Sequence, residues 1–425
     1  MSLREDIWNL VLPRVQEYRL AASDEPHVVA ERCRQIAREV TADREAESLD
    51  AAGLGLADAD VEWLDEQLDA LLGAGPIERY LRRGDVENIW VFGPHRGVLG
   101  LSGGRQERIE GPLFANEDEM IRYVSHLATT HGQTGRRFDH SAPLLDLRLR
   151  TGERIFAAMA VCGAPYLTVR CHRHRLIRLD DLVANGSLSA QAGELVAAAV
   201  RPPAPANVLI CGALGSGKTT LLRALLGEVG DHEIVCTLEQ TFELFLDDTH
   251  PHTFAVETRE ANSDGEGEIG MEELAKRSLR SGADRVIVGE LRGPEAATFL
   301  SACGTGSDGS MATIHASSPR QALSRLVRYC LASGLAGAQS ALIQEAAEVI
   351  HLVVHVHSDP RTGFRGVHTI TEVLGSPGDR FDTHDIFGRR QRSQPLTLLG
   401  RPRNPDVVER LAEGGLDVSG WPAGA

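Results

Sequence analysis

The sequence predicts an α/β protein whose second half folds as a mostly parallel, doubly wound sheet. From residue 207 onwards, short apolar runs alternate with helical segments, which is typical of parallel strands joined by crossover helices. The first apolar run, Asn207–Cys211, is followed by a glycine-rich turn and then by the helical segment Thr219–Leu226. A strand, a tight turn and a helix in this order open many such sheets.

Composition sets the broad class of the protein. The 425 residues are 42% hydrophobic and 24% charged, as in an ordinary globular protein with room for two or three domains. The net charge of −16 argues against a surface that grips nucleic acid, so no direct nucleic acid binding is expected. Seven cysteines without a C-x-x-C pair indicate reduced thiols in a cytoplasmic protein. No apolar run approaches the roughly 18 residues of a membrane span, so we expect membrane association only through partners.

Residues 1–72 are predicted to form a helical N-terminal extension. Apolar positions such as Ile7, Val11 and Val15 recur at helical spacing, and residues 61–72 repeat this pattern after a glycine-containing break at residues 51–55.

Residues 73–185 are predicted to form a mixed α/β domain, and residues 186–206 a linker that ends in a proline-rich connector. The elements that we expect in the mixed domain are the strands Val86–Phe92, Leu144–Leu149 and Tyr166–Arg170, and a helix over Glu117–His126.

Residues 207–390 carry the alternating pattern, and residues 391–425 form a tail that we expect to add little to the core. The end of the alternating region reads as an antiparallel hairpin around a turn at Asp359–Gly363. After Asn207–Cys211 the predicted strands are Glu233–Leu238, Arg285–Val288 and Met311–Ile314, and the predicted helices are Met271–Leu279, Pro294–Cys303 and Pro319–Leu331.

The turn after the first strand is a complete G-x-x-x-x-G-K-[ST] phosphate-binding loop. Its lysine, Lys218, is one of only two lysines among 44 basic residues. Successive backbone N–H groups and the start of a helix point at phosphate oxygens in such a loop, and the ammonium reaches the β- and γ-phosphates. We therefore predict nucleoside triphosphate binding by Gly212, Ala213, Leu214, Gly215, Ser216, Gly217, Lys218, Thr219 and Thr220.

Hydrolysis also needs a Mg²⁺ site, a carboxylate that positions water, and cations for the developing charge. The hydroxyl of Thr219 is placed for Mg²⁺, one residue past the lysine. Glu290 and Glu239 each lie at the tip of an apolar strand, where a solvated surface glutamate is the alternative interpretation. His315 ends a third strand, and it could sense the γ-phosphate or serve as an ordinary hydrogen-bonded structural histidine.

Together these segments resemble the secretion ATPases that drive type II secretion, type IV pili and type IV secretion. The closest resemblance is to the tight-adherence pilus branch. The Walker A, acidic, Walker B and histidine boxes are matched in order by Gly212–Thr219, Glu239–Leu244, Asp284–Gly293 and Thr305–His315, and the branch by Gly75–Glu78, Gly135–Asp139, Pro143–Asp146 and Asp308–Leu326.

The resemblance implies a RecA-like ATPase core that binds ATP and Mg²⁺, with Glu239 joining Thr219 at the metal. Glu290, Glu239 and His315 are the implied catalytic residues, and either glutamate could be the general base. The resemblance also implies a hexameric ring of cytoplasmic motors docked on an inner-membrane platform protein.

In this family, arginines of the N-terminal domain reach the nucleotide phosphates as that domain closes over the site. Arg154 and Arg170 are the matching positions, and we count them among the catalytic candidates.

Two positions depart from the family pattern. Gln240 replaces an aspartate in the acidic box, and Ser307 replaces the first histidine of the histidine box. Three interpretations remain open: a pilus or secretion motor, a conjugation or DNA-uptake ATPase with the same catalytic residues, and a nucleotide-dependent scaffold that turns over slowly.

Overall fold

The computed structural model describes most of the chain, and its contacts divide it into two compact units, Met1–Arg173 and His174–Ala425. The predicted break at 51–55, much of the helix predicted over 61–72, and Gly135 and Arg136 lie outside the described residues. Those residues are 3–21, 32–44, 60–61, 63–64, 68, 75–102, 104–131, 137–149, 152–171, 177–259, 261, 265–334, 339–359, 362–390 and 394–423.

The N-terminal extension is helical wherever it is described. The helix Leu3–Ala21 and the helical residues 32–44 bury the predicted apolar stripe of Ile7, Val11 and Val15. The indole rings of Trp8 and Trp63 meet edge to face, 6.4 Å between centroids. This cluster is separate from the core under the adjoining sheet.

The rest of the first unit is an antiparallel sheet of six described strands in the order β3-β2-β1-β6-β5-β4. The helix Glu117–His131 contributes residues such as Val124 and Leu127 to the core on the sheet's buried face. The strands are β1 (Val86–Phe92), β2 (Gly97–Leu101), β3 (Gln106–Ile109), β4 (Leu144–Arg148), β5 (Arg154–Ala158) and β6 (Tyr166–Arg170); the short helices Gly75–Ile77 and Glu78–Leu81 precede them.

The second unit has a nine-stranded sheet within the described residues, in the order β15-β14-β13-β12-β7-β11-β10-β8-β9. From β12 to β9 all neighbours are parallel, which confirms the predicted α/β class, and β13, β14 and β15 extend the sheet antiparallel. The strands are β7 (Val208–Gly212), β8 (Val235–Glu239), β9 (Thr253–Glu257), β10 (Arg285–Leu291), β11 (Met311–His315), β12 (Leu352–Ser358), β13 (Arg365–Gly375), β14 (Asp382–Gly388) and β15 (Thr397–Leu398).

Helices cover both faces of this sheet, because its central strands are apolar on both sides. All five residues of β7 are buried. Leu222 and Leu225 of the helix after the phosphate loop belong to one core, while Leu323 and Leu326 belong to the other. The helices are Leu179–Ala184, Ala190–Val200, Lys218–Leu226, Leu246–Asp248, Met271–Ser278, Glu295–Gly304, Pro319–Ala332, Gln339–Val349 and Pro405–Glu413.

Two segments pack differently from the sequence-based expectation. Within the predicted linker 186–206, the helix Ala190–Val200 is almost wholly buried in the core of the second unit. Within the predicted tail 391–425, Val407 and Leu411 of the helix Pro405–Glu413 join the same core. The expectation that the tail adds little to the core is therefore wrong. Its amphipathic turns are hidden in sequence by the surrounding Arg, Pro and Gly.

Candidate active site

The phosphate loop joins β7 to the helix Lys218–Leu226 at the carboxyl edge of the parallel sheet. Gly215 and Gly217 have φ values of +70° and +100°, a left-handed conformation that glycine adopts without strain. A Cβ on Gly212 would lie 2.4 Å from the Val356 carbonyl oxygen of β12. The glycines of the motif are thus required by the backbone itself, which turns the loop outward and leaves Leu214 83% exposed.

Lys218 folds back over this loop. Its Nζ donates to the carbonyl oxygens of Gly212 and Ala213 at 3.2 and 3.0 Å, and it lies 3.3 Å from His315 Nδ1. The side chain is only 7% exposed, and burial lowers its pKa below the ordinary lysine value. The ammonium is therefore held by neutral partners, which a phosphate can replace.

His315 connects the lysine to the Walker B carboxylate. Its Nε2 lies 2.7 Å from Glu290 Oε1, while its carbonyl oxygen accepts a hydrogen bond from Arg325. Burial, followed by the nearby Lys218 ammonium, lowers the His315 pKa. A neutral imidazole fits the contact with the lysine, because Nδ1 can then accept from the Lys218 ammonium. Nε2 lies close to Glu290 Oε1 without forming a hydrogen bond to it.

Glu239, the last residue of β8, is 3% exposed. Its Oε2 accepts hydrogen bonds from the backbone N–H groups of Glu243 and Leu244 at 2.7 and 2.9 Å. Its Oε1 is buried without a hydrogen-bond partner. Burial raises the pKa of this carboxyl to about 8, so its charged form calls for a cation.

Comparison with known proteins agrees with this geometry. The family described as "Type II/IV secretion system protein" matches residues 135–379, more than half of the chain. A putative conjugal transfer protein of Mycobacterium tuberculosis is 32% identical over 317 residues, which cover 72% of this chain and 86% of that protein. The probable conjugal transfer protein TrbB of Sinorhizobium fredii is 31% identical over 248 residues, 57% of this chain and 71% of the relative.

The chain belongs to the type II/IV secretion system protein family. The X-ray structure of the Legionella pneumophila ATPase DotB shares the fold, with a TM-score of 0.51 and 19% identity over 70% of this chain and 79% of that one. The core is therefore RecA-like, as the sequence predicts, and its phosphate loop makes the chain a nucleotide-binding member of this family.

The oxygen donors at the carboxyl edge fit Mg²⁺. Magnesium prefers one or two carboxylate or hydroxyl oxygens and takes its remaining ligands from water and phosphate. Glu239 Oε1 is a buried oxygen without a partner, and Thr219 follows Lys218 in the first turn of the helix Lys218–Leu226. Gly289 leaves room for this carboxylate, because a Cβ there would lie 3.2 Å from Glu239 Cγ.

The two departures from the family pattern lie at opposite edges of the sheet. Gln240 follows β8 at the carboxyl edge, and its Oε1 accepts a hydrogen bond from Arg292 NH1 at 2.6 Å. Ser307 precedes β11 and therefore lies at the amino edge, away from the phosphate loop. Of the two, Gln240 is the one that contacts site residues.

Arg154 and Arg170 lie in the first unit as directly opposed residues of β5 and β6. Arg148 of β4 stands opposite Arg154, so three arginines form one row across the sheet. The assignment of Arg154 and Arg170 to the catalytic site stays a prediction.

Two further residues shape the site. Arg292 NH2 donates to Glu290 Oε2 at 2.5 Å. Glu295, 4% exposed, accepts from the backbone N–H groups of Arg292 and Gly293 at 2.6 and 2.8 Å. Arg292 lies within the matched Walker B segment, whereas Glu295 has no sequence signal beyond its position at the start of a helix.

Proposed function

We propose that the protein is an ATP-hydrolysing motor that powers pilus assembly or protein secretion, with the tight-adherence pilus branch as its closest setting. The observation that carries the proposal is the contact series from Lys218 through His315 to Glu290, which lies at the same sheet edge as the unpaired oxygen of Glu239. A phosphate-binding cation, a histidine and two carboxylates at one edge are the parts that phosphoryl transfer to water requires.

The residues divide the chemistry as follows. The loop N–H groups and Lys218 hold the ATP phosphates. Glu239 and Thr219 would hold Mg²⁺, which would neutralise the charge of those phosphates. Glu290 orients the attacking water, because its carboxylate lies one histidine away from the lysine that binds phosphate. His315 lies between Lys218 and Glu290, so a change in the position of the lysine on phosphate binding would be transmitted to the carboxylate through the imidazole. If Glu239→Gln abolished turnover while Glu290→Gln retained it, the two carboxylate roles would be reversed.

Transition-state charge needs more cations than Lys218, and we assign them to Arg154 and Arg170. Arginines supplied to such sites raise rates by about 10³–10⁵ in related phosphoryl-transfer enzymes. We propose that they act in a homo-hexameric ring at the cytoplasmic face of the inner membrane, docked on a platform protein. No helix in the described ranges is long and apolar enough to cross a membrane.

The test is specific ATPase activity against protein concentration, with the mass measured by light scattering on the same samples. We expect activity to rise as the ring assembles. Arg170→Ala should lose most activity and keep the oligomer, whereas Arg108→Ala, a change on the edge strand β3 of the same sheet, should keep both. A fully active monomer would contradict the ring motor.

A conjugation ATPase is the second candidate, and the names of two relatives favour it, since both are called conjugal transfer proteins. The two motors share their catalytic residues and differ in platform and cargo. Deleting the gene and scoring pilus production against plasmid transfer separates them. A nucleotide-dependent scaffold would instead bind ATP with almost no turnover in the same assay.

A further inference from the structure

Gln240 and Arg292 form a bridge between two neighbouring strand ends. β8 and β10 are adjacent in the sheet, and Gln240 and Glu290 lie at their carboxyl ends. Arg292 donates through NH1 to Gln240 Oε1 at 2.6 Å and through NH2 to Glu290 Oε2 at 2.5 Å. One guanidinium therefore holds an amide and the proposed water-orienting carboxylate at the same time.

The backbones on both sides of this bridge are fixed. Thr258 Oγ1 donates to the Gln240 carbonyl oxygen at 3.0 Å, and the Thr258 N–H donates to the Glu239 carbonyl oxygen at 3.0 Å. On the other side, buried Glu295 accepts from the N–H groups of Arg292 and Gly293. Any change in the bridge must therefore come from the side chains.

The two Glu290 oxygens differ in this arrangement. Oε2 accepts from Arg292, whereas Oε1 faces His315 Nε2 at 2.7 Å and is buried without a hydrogen bond. A carboxylate that orients a water needs an oxygen as acceptor, and Arg292 competes for Oε2. The Arg292 side chain is 53% exposed, so burial does not fix its position. The strength of its hydrogen bond to Glu290 therefore depends on what its second nitrogen, NH1, binds.

The residue at position 240 determines the strength of the hydrogen bond that Arg292 NH1 donates. A neutral amide oxygen makes a weaker hydrogen bond to a guanidinium than a carboxylate does. Arg292 is therefore bound more strongly to Glu290 than to Gln240. A carboxylate at position 240 would compete for the guanidinium and loosen it from Glu290. An apolar side chain of the same length would leave Arg292 with Glu290 alone.

We propose that Gln240 is a positioning residue that acts through Arg292 to control how freely Glu290 can orient water, and that it thereby sets the rate of turnover. This rests on the proposed function, in which Glu290 is the water-orienting carboxylate.

The test compares the full-length protein with Gln240→Glu and Gln240→Met, which keep the side-chain length and replace the amide by a carboxylate or by a thioether. We expect kcat to rise about three- to tenfold in Gln240→Glu and to fall by a similar factor in Gln240→Met. ADP affinity measured by calorimetry should stay within about twofold in both, because Gln240 has no part in the phosphate loop. Gln339→Glu adds the same charge on the helix Gln339–Val349 and should leave kcat unchanged.

A purely structural role predicts a different pattern, in which both variants lower kcat together with the thermal midpoint. That pattern, or kcat unchanged in both variants, overturns the inference. In an Arg292→Met background the two changes at Gln240 should lose their opposite effects, since the guanidinium that carries them is gone. Opposite effects that persist there would also overturn it.

The proposed function fails separately, if the wild-type protein binds ATP without hydrolysing it. In that case thermal midpoints test the hydrogen bond between Gln240 and Arg292 directly. They are measured without nucleotide for the wild type, Gln240→Met, Arg292→Met and the double variant. Non-additive midpoints support the bridge, and additive midpoints overturn it whether or not the protein hydrolyses ATP.

Discussion

The two edges of the parallel sheet differ in whether their buried polar groups have hydrogen-bond partners. At the amino edge, Arg285 is fully buried and donates from Nε, NH1 and NH2 to Glu233 and to the Val200 carbonyl oxygen at 2.6–2.9 Å. Asn207 there accepts from the Ser310 N–H at 2.9 Å and donates to the Val349 carbonyl oxygen at 2.9 Å. At the carboxyl edge, Glu239 Oε1 and Ser216 Oγ are buried without partners.

The difference separates stability from function within one sheet. Paired groups at the amino edge hold the strands in register, and breaking a pair there leaves an uncompensated charge. Groups at the carboxyl edge are kept under-bonded at a cost in stability, which a bound nucleotide or cation can offset. Substitutions should therefore change activity at one edge and folding at the other.

Lys218→Ala should give the largest effect, with ATP turnover abolished. The phosphates lose the ammonium of the loop, whereas the fold loses only hydrogen bonds to two carbonyl oxygens and a histidine contact. Lys218→Arg should not restore turnover, because a planar guanidinium does not fit a cradle built for a point charge. We expect the free energy of unfolding to change by less than about 1 kcal/mol. Near-normal turnover in either variant would reject the site.

Glu290→Gln should cut turnover by about two or more orders of magnitude while ADP affinity stays within several-fold. The amide keeps the shape of the side chain and loses the charge that orients water. Glu272→Gln, a change on the helix Met271–Ser278, is the control and should be silent. Calorimetry with ADP beside a phosphate-release assay distinguishes lost chemistry from lost binding.

Arg285→Met should instead destabilise the protein by about 3–5 kcal/mol, because Glu233 would be left as a buried unpaired carboxylate. The double variant with Glu233→Gln should recover much of that loss. Denaturant unfolding of the three proteins measures both effects. Turnover per folded molecule should remain close to that of the wild type. A loss of activity without a loss of stability would contradict the assignment of the amino edge to folding.

The smallest effect concerns pH at the amino edge. His351 Nδ1 accepts from the Asn207 N–H at 2.8 Å, and Nε2 lies 2.9 Å from Asp406 Oδ2. Burial lowers the His351 pKa to about 4, so the folded protein binds fewer protons than the unfolded chain between about pH 6.5 and 4.

The contribution of His351 is therefore complete above pH 6.5 and is lost as the pH falls towards 4. It amounts to about 3 kcal/mol at most. His351→Gln should flatten this part of the curve of thermal midpoint against pH. An equal slope in both proteins would assign the effect to other groups.

The parts of the structure that the sequence predicts best are those with a strong local pattern. The parallel core follows from apolar runs buried on both sides, and the phosphate loop from glycines whose backbone excludes a side chain. The sequence pattern does not predict the strands β2 and β3, because Gly97–Leu101 is short and glycine-rich and Gln106–Ile109 is mostly polar. Pairing with β1, which is a tertiary effect, makes them strands.

The site residues show the same limit. Lys218, His315 and Glu290 could be named from motifs, and the structure places them in mutual contact. The bond between Gln240 and Arg292 joins residues 52 positions apart and has no periodic signature. The partnership of Arg285 with Glu233 is hidden for the same reason, since it depends on two strands that are adjacent only in the folded sheet.

The position of β12 also has a consequence for how the chain reaches its native state. β7 pairs on one side with β12, and Asn207 bonds to His351 across 144 residues of sequence. The Val356 carbonyl that crowds Gly212 therefore reaches the phosphate loop only after the ribosome has made the chain from β7 through β12. Closing so long a loop is slow, and the hydrophobic edge of β7 stays open meanwhile. Nascent chains that stop short of β12 should therefore depend on chaperones and carry no formed nucleotide cradle.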